Sequence, residues 1–96
     1  MIVSNSTVRD ASVTLNGSAQ AAAVAANPYR NFLMIQAPSA HAVTFSFTNA
    51  SPSAGATGCI TLAANSAPLF FTMVPNGPIN IIGTNADVCV ILEGSP

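Results

Sequence analysis

The segment Val43-Thr44-Phe45-Ser46-Phe47-Thr48 alternates strictly between apolar and polar side chains. In an extended chain this places Val43, Phe45 and Phe47 on one face and Thr44, Ser46 and Thr48 on the other, the signature of a half-buried strand. Four further segments do not alternate. Residues Asn31 to Ala37, Leu69 to Val74, Ile79 to Ile82 and Val88 to Leu92 are apolar on both faces and rich in Val, Ile and Phe, the pattern of strands covered on both sides. Ile2-Val3 and Val8 to Leu15 are further strand material. Between these runs lie breakers: Pro38-Ser39-Ala40-His41, Asn49 to Gly58, Asn65 to Pro68, Pro75-Asn76-Gly77-Pro78 and Gly83-Thr84-Asn85. They recur about every ten residues, which predicts short antiparallel strands rather than alternating strands and helices.

The segment Ser18 to Ala26 is the one place where a helix competes. Its alanines suit a helix that Asn27-Pro28 would end, but eight or nine residues without an apolar stripe make a marginal one. A strand is the preferred reading, with side chains small enough to let another sheet or subunit approach closely. No linker or repeat divides the chain. The fold expected is all-β: one antiparallel β-sandwich domain spanning residues 1–96, jelly-roll-like, with residues 1–26 either part of the sandwich or an extended N-terminal arm.

Composition sharpens this picture. Arg9, Asp10, Arg30, Asp87 and Glu93 are the only charged residues in 96, the net charge is −1, and half the residues are apolar, whereas an ordinary soluble domain is roughly 25% charged. Such a surface has little charge repulsion to keep copies apart. A two-layer sandwich has one interior to fill, so the surplus apolar faces of the two-sided strands need partners. Burial of a Leu or Phe is worth roughly 1.5–3 kcal/mol; a handful of them moved into subunit contacts rivals the stability of a whole domain. The chain reads as an assembly component.

Several functions lack their residues. Two basic side chains are too few for a nucleic-acid footprint, and two cysteines with one histidine are too few for a structural metal site. No apolar run nears the roughly 18 residues of a membrane helix, and Met1 to Asp10 resembles no secretion signal; synthesis and use in the cytosol are expected. Cys59 and Cys89 lie in apolar runs and are expected as buried thiols, with a disulfide the alternative if their strands face each other. His41, two residues from Ser39, invites a nucleophile-and-base reading, but no sequence pattern places an orienting carboxylate beside it. Asp87 and Glu93 are expected as solubilising ends of an apolar strand, with Glu93 guarding against aggregation. Arg30 is the charged residue with the most specific prospects, since its five donors can fix several carbonyls or one carboxylate, and Glu93, Asp87 or a neighbouring chain could supply the partner.

Three stretches, Asn27-Pro28-Tyr29-Arg30-Asn31-Phe32-Leu33-Met34-Ile35-Gln36, Ile79-Asn80-Ile81-Ile82-Gly83-Thr84 and Ile91-Leu92-Glu93-Gly94, resemble small virion proteins of tailed bacteriophages, among them the jelly-roll-like capsid decoration, or cement, proteins. The resemblance runs from Asn27 to Gly94. It implies a β-sandwich, a homotrimer, a place on the outer surface of a phage head in a virion made in the host cytoplasm, and a structural role in which the protein bridges major capsid subunits and stabilises the capsid. It implies no enzyme activity and no cofactor. On this reading Arg30, Phe32, Met34, Phe70, Phe71 and Met73 are the candidate subunit or capsid contacts, with residues 1–26 and the loop Asn49 to Gly58 reaching the shell. The alternative is a phage fibre, tail or receptor-binding module of the same fold, which would call for more exposed aromatics than one tyrosine and no tryptophan provide. A small enzyme or carbohydrate-binding module would likewise call for aromatic platforms or grouped ionisable side chains.

Overall fold

A computed structural model describes residues 6–96. Nine strands cover β1 (Thr7–Asp10), β2 (Val13–Thr14), β3 (Gln20–Val24), β4 (Phe32–Gln36), β5 (Val43–Ser46), β6 (Cys59–Leu62), β7 (Leu69–Phe70), β8 (Ile79–Ile82) and β9 (Val88–Ser95), and no helix occurs among the described residues. They form two antiparallel sheets packed face to face, a β-sandwich. One sheet runs β1-β9-β4-β7, with β2 also on β9; the other runs β3-β8-β5-β6.

The pairing is nested. β1 lies against β9, β3 against β8, β4 against β7 and β5 against β6. Apart from the β1–β2 and β5–β6 links, every connection crosses from one sheet to the other. β1 and β2 behave as one strand interrupted at Ala11-Ser12. There the Ala11 N–H donates to the Ile91 carbonyl (2.8 Å) and the Ile91 N–H donates to the Ser12 hydroxyl (3.1 Å), so a side chain stands in for a ladder group. Ile2-Val3 lies outside the described residues.

Between the sheets sit Leu15, Val24, Leu33, Ile35, Ala37, Val43, Phe45, Ile79, Ile81, Cys89 and Ile91. Their spacing follows the period of two along each strand: Leu33 and Ile35 on β4, Val43 and Phe45 on β5, Ile79 and Ile81 on β8, Cys89 and Ile91 on β9. Half-buried Phe47 and Phe71 pack against this layer, meeting Phe45 and each other edge to face with ring centroids 5.6–6.4 Å apart, the geometry the ring quadrupole favours.

Several strands differ in extent from the sequence reading. Within Ser18 to Ala26 the strand is β3, Gln20–Val24, and its register slips between Gln20 and Val24 where Ala22 takes a left-handed conformation (φ 48°). The run Leu69 to Val74 is a regular strand only at Leu69–Phe70; Phe71 keeps a backbone bond to the Leu33 carbonyl (3.3 Å) and, inward by alternation, packs with Phe45 and Phe47. β5 ends at Ser46, and its polar face is not wet. Thr44 and Ser46 are both buried, the Ser46 hydroxyl donating to the Gly58 carbonyl (2.8 Å) and accepting from the Thr48 and Asn49 N–H groups. β9 runs to Ser95, beyond the expected end at Leu92, because β1 and β4 flank it on both sides.

Candidate functional site

The register of the first sheet fixes which side chains look away from the core. Residues directly opposite each other in a ladder share a face. Leu33, Ile35, Cys89, Ile91 and Leu69 point inward, so Val8 on β1, Phe32 and Met34 on β4, Phe70 on β7, and Val90 and Leu92 on β9 point outward. Phe32 and Phe70 lie tilted against each other at 6.2 Å, Met34 is tucked between Phe70 and Leu92, and Phe70 remains 60% exposed. The only charge that the ladder places on this face is Asp10, at its rim beside Leu92. Gly94, opposite both Phe32 and Val8, keeps the face level: a Cβ there would press on the Phe32 and Ser6 side chains at 3.1 and 3.0 Å.

The outer face of the second sheet has the opposite character. Thr44 and Thr61 share a hydroxyl–hydroxyl bond (2.9 Å), and Asn80 donates to the Ser46 carbonyl (3.2 Å) while accepting from the Ala22 N–H (2.7 Å). That last bond holds the left-handed Ala22 in place. Asn80, buried on both counts, was not legible as special in the sequence, because nothing local shows that it will face a bulge.

Of the sequence-predicted contact residues, Phe32, Met34 and Phe70 come together on the apolar face. Met73 lies in the loop after β7 and is 88% exposed. Phe71 belongs to the aromatic cluster inside. Arg30 is turned inward: its Nε donates to Glu93 Oε1 (2.8 Å), Nη1 to the carbonyls of Pro75 (2.6 Å) and Gly77 (3.0 Å), and Nη2 to the carbonyl of Ala25 (3.1 Å). Val8, Val90 and Leu92 complete the face and went unassigned, since only the ladder register shows that β1 and β9 flank β4 on the same side.

Glu93 is no surface gatekeeper. It faces inward opposite Leu33, with its side chain 1% exposed. Burial alone would raise its pKa, but hydrogen bonds from Arg30 and Arg9 and their positive charges outweigh this and hold the carboxyl below its ordinary value. Arg9, on the same side of the ladder, covers Oε2 from the solvent edge.

His41 does acquire the carboxylate that the sequence did not place: its Nδ1 lies 2.8 Å from Asp87 Oδ2. The contact joins the β4–β5 and β8–β9 loops. Among the described residues no hydroxyl is hydrogen-bonded to the other ring nitrogen, no group of three or more His, Cys, Asp or Glu could hold a metal ion, and no ligand-sized cavity opens. Both thiols are free. Cys89 is buried in the core, where desolvation pushes its pKa up to about 12; Cys59 is half-buried on β6, on the other sheet, which corrects the expectation of two fully buried thiols. No described helix is long and apolar enough to cross a membrane.

Comparison of the chain with protein-family models, with curated proteins and with solved structures returned no match.

Proposed function

We propose that this chain is a capsid decoration protein: a jelly-roll sandwich that seats on the outside of a phage head and reinforces it by non-covalent contacts with major capsid subunits. The nested pairing of first strand with last, and so on inward to β5 with β6, supports the jelly-roll path, in which a folded-back ribbon of four strand pairs is rolled into two sheets. The single observation that carries the functional reading is the apolar outer face of the β1-β9-β4-β7 sheet. A second sheet face with Phe32, Met34, Phe70, Val90, Leu92 and Val8 aligned across four strands, and one charge at its rim, has the chemistry of a contact surface rather than of a wet one.

The mechanism follows from linkage. A protein that binds the assembled shell and not its separated subunits shifts the equilibrium toward the shell, and it does so through buried area and shape. The homotrimer that the resemblance implies would need two different patches per copy, because a three-fold ring closes through heterologous contacts; the apolar face would serve as one of them. The test is co-sedimentation with purified phage heads stripped of decoration proteins. The chain is expected to pellet with the heads and to raise their thermal disruption temperature. A chain that stays in the supernatant at concentrations well above micromolar removes the reading.

A further inference from the structure

The two sheets have four edges, and three of them carry a device that blocks further strand pairing. β1 presents Arg9 and Asp10. β7 is two residues long and preceded by Pro68. β3 is broken by the bulge at left-handed Ala22. Charges, shortness and bulges are the standard means by which sheets avoid edge-to-edge association. β6, Cys59-Ile60-Thr61-Leu62, has none of these: no charge, no proline, no register shift against β5, and no described strand on its outer side. Ile60 sits on the core-facing side opposite Phe45 and is still 42% exposed, because the sheet stops there.

We infer that β6 pairs antiparallel with β6 of a second copy across a two-fold axis, joining two β3-β8-β5-β6 sheets into one eight-stranded sheet. An isologous contact brings identical groups together, and β6 offers no charge that would repel its own copy. An antiparallel pair keeps side chains of opposed residues on one face, so the axis must pass through a residue position. With Thr61 at the axis, the hydroxyl pair Thr44–Thr61 continues into the second copy's Thr61 and Thr44 on the polar face. Ile60 then lies against the second copy's Leu62 on the core side, which covers the apolar side chain that the edge leaves open. Four residues make a small contact, so the pairing is weak between free copies and gains its effect where copies are held side by side at high local concentration. The inference stands on edge chemistry and does not depend on the shell-binding reading.

Sedimentation equilibrium of the full chain tests it without any partner. Between about 10 µM and about 1 mM, a contact of this size is expected to double the number of copies per particle. Ile60→Lys, at a 42% exposed position, is expected to raise the dissociation constant at least tenfold by replacing the apolar contact with the second copy's Leu62 by a charge, the two new charges lying diagonally across the axis. Equal association of Ile60→Lys and the parent chain would overturn the inference, and so would a parent chain whose particle size does not change over that range. A second variant, Thr61→Cys with Cys59→Ser, should form a covalent pair with a short bis-maleimide at high concentration; its absence while the parent chain doubles would place the contact elsewhere and overturn the β6 assignment.

Discussion

Arg30 and Glu93, 63 residues apart in sequence, meet inside the sandwich with Nε 2.8 Å from Oε1 and neither side chain in water. Around that pair the guanidinium also gathers the carbonyls of Ala25, Pro75 and Gly77. One side chain thus ties the β3–β4 and β7–β8 loops to the last strand, and fixes the end of the molecule where Phe32, Phe70 and Gly94 lie. Removing one partner from a buried pair leaves the other charge uncompensated, at a cost of about 3–5 kcal/mol. Arg30→Met and Glu93→Leu are each expected to destabilise by that amount in urea unfolding. The double variant is expected to recover a large part of the loss, since two apolar groups leave no orphaned charge; a double variant as unstable as the sum of the singles would show that the loop carbonyls, not the pair, carry the effect.

The same pair sets the acid limb of stability. The folded Glu93 carboxyl titrates below its ordinary value of 4.5, so the ionised group favours the folded state above that value, and the contribution is lost as pH falls through the lower, folded pKa. Asp10, whose carboxylate accepts from the Ser12 hydroxyl and N–H, is shifted down as well and acts in the same direction. The urea midpoint of the parent chain is expected to hold from pH 7 to about 5 and fall below 4.5, whereas Glu93→Gln should start lower and fall less steeply. Parallel pH curves for the two would contradict this assignment.

The thiols should separate cleanly by accessibility. Cys89 is sealed in the core and its thiolate strongly disfavoured, with a pKa near 12, while Cys59 reaches the surface of the β6 edge. Titration with a disulfide reagent at neutral pH is expected to modify one thiol per folded chain rapidly and the second only in denaturant. Two fast thiols would mean that β9 opens readily.

Ala22 sits at φ 48°, where a Cβ costs an L-residue roughly 1–2 kcal/mol. Glycine pays part of that back in chain entropy, so Ala22→Gly is expected to stabilise by about 0.5–1 kcal/mol, measured as a shift in thermal midpoint. Loss of stability would instead show that the alanine methyl is packed.

Much of this fold was written in local pattern. The two-sided runs around Leu33, Ile81 and Ile91 announced strands, and the recurring Pro, Gly and Asn clusters marked the turns, because both signals depend on residues close in sequence. What the pattern could not show is register. Glu93 reads as a strand end until β1 and β4 are known to flank it, and then it is an interior carboxylate opposite Leu33. Asp87 reads as a junction residue until the β4–β5 loop brings His41 to it. The apolar face was half legible: Phe32, Met34 and Phe70 were among the expected contacts, but Val8, Val90 and Leu92 join them only through ladder pairing, and Phe71, next to Leu33, turns inward by the alternation of its strand.

Phe70→Asp probes the outer face of the β1-β9-β4-β7 sheet, the proposed contact surface, at an exposed side chain whose loss leaves the core untouched. Co-sedimentation of the parent chain and of Phe70→Asp with stripped phage heads, alongside urea unfolding of both, is the most direct measurement. The expected result is binding by the parent chain, at least tenfold weaker binding by Phe70→Asp, and urea midpoints that agree closely. Equal binding by the two, or no binding by either, would contradict the account.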